Sequence, residues 1–137
     1  MKNYYVLVVD DDAVFSLLTT KFLEKIHFDK NLQKFKNGLE AFTFLENHYN
    51  QQDDFVVLLD IEMPVMNGWE FLKAIQKKVY SRNTFVYMVT ASVEEEDKEK
   101  AGSYKLVRGY ESKPLTADKL ERIKEEFLQL RREKSPG

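Results

Sequence analysis

The sequence predicts an α/β protein: a doubly wound, five-stranded parallel sheet with five helices. Three observations predict it. Short apolar runs rich in β-branched residues, suited to strands buried on both faces, alternate along the chain with stretches of helical periodicity. No linker, repeat or low-complexity tract interrupts the alternation. The 137 residues fit one domain by the usual prior of roughly 100–200 residues.

Tyr4–Val9 is the first strand, continuous and β-branched. Phe15, Leu18, Phe22 and Ile26 then recur at helical spacing, with Lys21, Glu24 and Lys25 between them. Residues 32–36 read as a weak edge strand of mixed polarity, broken by Asn37-Gly38, after which Leu39, Phe42 and Leu45 mark a second helix. Residues 55–59 form a fully apolar strand. Pro64 and Asn67-Gly68 punctuate a loop, and Trp69, Leu72 and Ile75 begin a third helix. Residues 85–89 are the fourth strand, and Ser92 with Glu95 fits a capping box opening a fourth helix. That helix carries an unbroken charge run from Glu94 to Lys100, which leaves little apolar face. Residues 106–110 are a short fifth strand, and Leu120, Ile123, Phe127 and Leu130 form the stripe of a fifth helix. The expected core is about 4–130, with a tail over 131–137, within a single domain of 1–137 that carries no output domain.

Composition excludes several functions. Cysteine is absent, so disulfides, zinc–thiolate sites and thiol nucleophiles are ruled out. Lys and Arg number 21 against 23 acids, and that balance offers no electrostatic footprint for direct nucleic-acid binding. No segment suits a signal peptide or a membrane span. A soluble, cytoplasmic protein is expected.

In a doubly wound sheet the ligand site lies beyond the carboxyl ends of the strands. The residues there are Asp10, Asp11 and Asp12 after the first strand, Asp60 after the third, Thr90 after the fourth and Lys113-Pro114 after the fifth. Adjacent strands lie about 4.8 Å apart. At an effective dielectric near 20, each like-charge pair about 5 Å apart costs roughly 3 kcal/mol. A cation or raised pKa values must offset such a cluster. An all-oxygen donor set without His or Cys favours Mg²⁺, or Mn²⁺, over zinc. A cation beside one Lys is a usual way to neutralise a phosphoryl group. Asp12 fits an N-cap of the first helix.

Five motifs occur in order: Val8-Val9-Asp10-Asp11, Asn37-Gly38-Leu39-Glu40-Ala41, Leu59-Asp60-Ile61-Glu62-Met63-Pro64 with Asn67-Gly68, Val89-Thr90-Ala91, and Lys113-Pro114-Leu115. Together they resemble the receiver domains of two-component response regulators, of the stand-alone chemotaxis-regulator type. The resemblance implies a flavodoxin-like sheet of order 2-1-3-4-5 and a cis Lys113-Pro114 bond. It makes Asp60 the phosphoacceptor and Asp10, Asp11 and Asp60 metal ligands together with the Glu62 backbone carbonyl. Thr90 becomes the hydroxyl that bonds the phosphoryl oxygen, Lys113 the phosphate's ammonium partner, and Tyr110 the aromatic coupled to Thr90. Leu106-Val107 is bulkier than the small pair often found before the fifth strand of such domains.

The implied function is a phosphorylation-activated switch. It would take a phosphoryl group from a histidine kinase or histidine phosphotransfer protein and change the face formed by the fourth helix, fifth strand and fifth helix toward a downstream protein. Such a chain is a self-catalysing phosphoacceptor rather than an enzyme, and a monomer or a phosphorylation-dependent dimer. Two rival readings exist. Asp10-Asp11-Asp12-Ala13-Val14 resembles the nucleophile motif of haloacid-dehalogenase-type phosphatases, with Asp10 attacking; that reading gives Asp60 no role. The other is a receiver-like binding module that is never phosphorylated.

Overall fold

A computed structural model describes residues 3–50, 52–91 and 94–134. Among these, β1 (Tyr4–Val9), β2 (Gln33–Phe35), β3 (Asp54–Leu59), β4 (Thr84–Thr90) and β5 (Val107–Ser112) alternate with α1 (Ala13–Lys25), α2 (Gly38–His48), α3 (Gly68–Ile75), α4 (Glu95–Gly102) and α5 (Ala117–Lys134). The strands are parallel, in the order β2-β1-β3-β4-β5, as expected. A 3₁₀ segment, Val79–Asn83, precedes β4; no periodicity marks it in the sequence.

Alternate strand residues face opposite layers. Leu7, Val9, Val57, Leu59, Val86 and Met88 pack beneath Ala41 and Leu45 of α2, Phe71, Leu72 and Ile75 of α3, and Ala101 of α4. Val6, Val8, Val56, Leu58, Phe85 and Tyr87 pack against Leu23 of α1 and Leu120, Ile123 and Phe127 of α5. The three central strands β1, β3 and β4 thus lie between two helical layers, which is why their sequences read as unbroken apolar runs.

The buried stripe of α1 differs from the apolar pattern. Ser16, Thr19, Thr20 and Leu23 face the sheet, while Leu18 is 51% exposed. The hydroxyl of Thr20 donates to the Ser16 carbonyl at 2.8 Å, so it enters the core already satisfied by its own helix. At the far end of α1, His27 takes φ 58° while its N–H donates to the Glu24 carbonyl and that of Phe28 to the Leu23 carbonyl. This is a Schellman cap. The Lys124 ammonium of α5 donates to the Ile26 carbonyl at 2.7 Å, tying the two helices together.

α4 is the least anchored helix, as its charge run suggests: only Ala101 is buried. Lys100 reaches across to lie 4.5 Å from the Trp69 ring, and Trp69 stacks on Tyr104 at 6.5 Å. The helix starts at Glu95 with Glu94 as its N-cap. Glu95 is therefore the first helical residue rather than the third, which displaces the expected capping box; Ser92 lies outside the described residues.

α5 continues past Leu130 to Lys134. Arg131 explains the extension. Its Nε donates to Asp54 Oδ2 at 2.8 Å, and a terminal guanidinium nitrogen donates to the Asn3 carbonyl. The guanidinium also lies 4.9 Å from the Tyr4 ring. The last helical turns are thereby fastened to the start of β1 and β3.

Candidate functional site

Each strand-end residue is placed by the chain that follows it. Asp12 caps α1, its Oδ1 accepting from the Val14 and Phe15 amides at 3.0 Å. The Asp12 amide in turn donates to Asp10 Oδ1 at 2.8 Å. That bond fixes the Asp10 carboxyl over the crevice. Across the sheet, the Ile61 amide holds Asp60 Oδ1 at 2.7 Å. Asp10 and Asp60 are buried and Asp11 is exposed, and one oxygen from each lies within 4.8 Å of the others.

Lys113 closes the cluster. Its Nζ is 2.8 Å from Asp10 Oδ2 and 3.1 Å from Asp60 Oδ2. Its amide donates to the Thr90 carbonyl at 2.9 Å, which ties the loop after β5 to the end of β4. The Lys113-Pro114 bond is cis. The Phe15 ring lies 4.3 Å from the ammonium, a contact of the α1 first turn that the sequence reading did not contain. Thr90 ends β4, 1% exposed. Tyr110 is half-buried and packs against the α2–α3–α4 side of the core. Glu62 is exposed in the loop after Asp60.

One cation serves two buried carboxylates, so charge is only partly offset. Burial raises the Asp10 pKa and the Asp60 charge adds to the rise, against the Lys113 and Asp12 hydrogen bonds. Burial pulls the Lys113 pKa down, but the hydrogen bond it donates to Asp10 and the charges of Asp60 and Asp10 outweigh it and leave it raised. Asp10 Oδ2 is buried, with the shared Lys113 ammonium as its ion-pair partner. Three carboxylates that share a single ammonium are a donor set that fits a hard divalent cation.

The loop that carries Asp60 is tightly folded. The Gly68 amide donates to the Ile61 carbonyl at 2.8 Å, and a Cβ at Gly68 would meet the Asp60 carbonyl oxygen at 2.4 Å. Only glycine permits that approach. Between them, the Met66 amide donates to the Pro64 carbonyl at 2.7 Å and Val65 takes φ 68°. This is a γ-turn with a β-branched residue in the left-handed region, a strained arrangement. Val65 is 73% exposed, so its side chain offers little packing in return. Val65→Gly is expected to raise stability by about 1 kcal/mol, strain relief exceeding the added entropy of the unfolded chain. A lower urea midpoint for this variant would show that the turn is not strained.

Fold and site together define the class: an open α/β domain with an acidic, lysine-bridged pocket at the carboxyl ends of its strands. The response regulator receiver domain family matches residues 6–124, and the chain belongs to that family; it is a receiver domain of two-component signalling. Chemotaxis protein CheY-3 of Vibrio cholerae is 34% identical, covering 89% of this chain and 92% of its own. The probable methanogenesis regulatory protein FilR2 of Methanothrix harundinacea is 28% identical, covering 98% and 88%. The chain spans only 36% of another relative, the CpxR homolog of Haemophilus influenzae. Among solved structures, a two-component response regulator from Cytophaga hutchinsonii superposes with a TM-score of 0.79 at 26% identity, covering 94% of this chain and 99% of that one. The CheX–CheY–BeF3–Mg²⁺ complex from Borrelia burgdorferi contains a chain with a TM-score of 0.77 at 29% identity, covering 90% and 89%. No helix among the described residues is long and apolar enough to cross a membrane.

Proposed function

We propose that Asp60 accepts a phosphoryl group from a phosphohistidine on a histidine kinase or a histidine phosphotransfer protein. The observation that carries this reading is the single Lys113 ammonium within 2.8 and 3.1 Å of two buried carboxylates at neighbouring strand ends. The Ile61 amide holds Asp60 Oδ1 and so orients the carboxylate. An Asp60 oxygen bonds to phosphorus as the phosphorus–nitrogen bond breaks, and the bonding pair stays on the imidazole nitrogen. Lys113 stays beside the anionic oxygens of the product. Asp10, Asp11, Asp60 and the Glu62 carbonyl would hold Mg²⁺, or Mn²⁺ in its place. The bound ion would neutralise charge on the transferring oxygens. The Borrelia complex, which contains Mg²⁺ and BeF3, supports that assignment.

The Thr90 hydroxyl then bonds the phosphoryl oxygen. Tyr110 turns inward beside it, and the face of α4, β5 and α5 changes its preference for a downstream protein. α4 is suited to move because so little of it is buried. In this reading the chain is a self-catalysing phosphoacceptor and not an enzyme acting on a second substrate. The test is incubation with acetyl phosphate and Mg²⁺, followed by intact-mass and peptide mapping. One phosphoryl group on the peptide containing Asp60 is expected. Modification on the peptide containing Asp10 instead would favour the phosphatase reading.

Cation binding should depend on pH in a stated direction. Because burial raises the Asp10 pKa above its ordinary value, the metal-free fold takes up a proton there at a higher pH than an ordinary aspartate does, and below that pH a cation must displace it. The apparent Mg²⁺ affinity should therefore weaken from a higher pH than an ordinary aspartate would give, by up to about tenfold per pH unit below that point. Calorimetric titrations at several pH values check this. An affinity flat down to the ordinary carboxylate range would contradict it.

A further inference from the structure

A second cavity lies at the opposite end of the sheet from the acidic cluster. It has a volume of about 510 Å³ and is lined by Ser81, Arg82, Ser103, Lys105, Leu106 and Arg108, among others. These residues precede β4 and β5 or begin β5, whereas Thr90 and Lys113 follow the other ends of those strands. At about 3.3 Å per residue, the length of β4 separates the two places by roughly 20 Å.

Arg82, Lys105 and Arg108 are among the residues that line the cavity, and no acidic residue is. In a chain of net charge −2, that is a local excess of the opposite sign. Among the described residues, the ion pairs of the protein use Lys78, Lys113, Arg122 and Arg131, not these three cations. The Arg108 guanidinium carbon lies 5.5 Å from the Phe85 ring. The Ser103 hydroxyl donates to the Lys100 carbonyl, which leaves its oxygen free to accept. Leu106 is 6% exposed and gives the cavity an apolar element.

We infer that this cavity binds a phosphate-bearing small molecule, up to the size of a nucleotide. Two guanidinium groups and an ammonium are the donors that recognise phosphate oxygens. The volume falls within the range of small-molecule sites, roughly 300–1,000 Å³, and exceeds what a lone phosphate needs. A guanidinium can also stack on a planar base. The three cations are exposed, so binding should be salt-sensitive.

The test is amide-shift NMR on the full chain, without Mg²⁺ so that the acidic cluster does not recruit phosphate. Titration with AMP should move the amides of residues 81–82 and 103–108, saturably. Inorganic phosphate should move the same amides at least threefold more weakly, and adenosine should not move them. The R82S/K105S variant, which keeps Arg108 on Phe85, should bind AMP at least tenfold more weakly while taking up phosphoryl groups from acetyl phosphate at the wild-type rate. Equal shifts from adenosine and AMP would overturn the phosphate assignment. Shifts elsewhere, no shifts, or undiminished binding by the double variant would overturn the site. If inorganic phosphate binds as tightly as AMP, the ligand is a free phosphate and the nucleotide-sized occupant is wrong.

Discussion

Asp60→Asn should take up no phosphoryl group from acetyl phosphate, and in the absence of Mg²⁺ it should be more stable than the wild type. The first outcome follows from the nucleophile: a neutral amide cannot replace the carboxylate oxygen that bonds to phosphorus. The second follows from the charges. Asp60 faces Asp10 and Asp11 within 4.8 Å and Lys113 at 3.1 Å. At an effective dielectric near 20, two repulsions of roughly 3 kcal/mol each stand against one attraction of roughly 5 kcal/mol. Burial of the carboxylate adds to the repulsive side. The variant keeps an oxygen for the Ile61 amide and leaves the Lys113–Asp10 pair at 2.8 Å intact. A gain of about 1 kcal/mol is expected. Urea melts with and without Mg²⁺ measure it, and Mg²⁺ should stabilise the wild type more than the variant. A lower metal-free midpoint for Asp60→Asn would mean that Lys113 fully neutralises the site.

The second large effect lies far from that site. Arg131→Met should lower stability by about 2–4 kcal/mol, because it removes the guanidinium from a nearly buried Asp54. The Asp54 side chain is 5% exposed and that of Arg131 16%, so water can replace little of the lost pairing. Methionine keeps an apolar stem of similar length but removes the guanidinium from the Tyr4 and Phe127 rings as well as from Asp54. The loss therefore reports on charge rather than on packing. Adding Asp54→Asn should recover at least half of it, since a neutral amide tolerates the burial better. If the double variant is no more stable than Arg131→Met, the guanidinium's contacts with the Tyr4 and Phe127 rings and the Asn3 carbonyl, and not the ion pair, hold the helix end.

The strands and the acidic site were legible because each depends on a local pattern. Continuous runs such as Val6–Val9 and Val56–Leu59 are buried on both sides of the sheet, and the acids follow those runs directly. α1 was read less well. Periodicity selects Leu18, yet the buried positions are Ser16, Thr19 and Thr20, and a hydroxyl bonded within its own helix carries no apolar signal. Phe15 over Lys113 depends on the pairing of α1 with the loop after β5, two segments nearly a hundred residues apart. Arg131 sits in a charged stretch, Arg131-Arg132-Glu133-Lys134, where nothing in the sequence marks its side chain as turning inward. The second cavity is assembled from two separate connections and the start of β5, and no single window of sequence contains it.

The two margins of the sheet bear on how the protein behaves when concentrated. An open strand margin is a template on which another chain can add by backbone pairing. Here β2 spans only Gln33–Phe35, too short to template much. β5, the other margin, carries Arg108 and Glu111, and the Glu111 carboxylate is engaged by Arg122 at 2.9 Å. Charged side chains along such a margin discourage intermolecular strand addition. Fibrillar growth by sheet extension is thereby disfavoured at both ends, and crowding should leave the β-sheet at five strands.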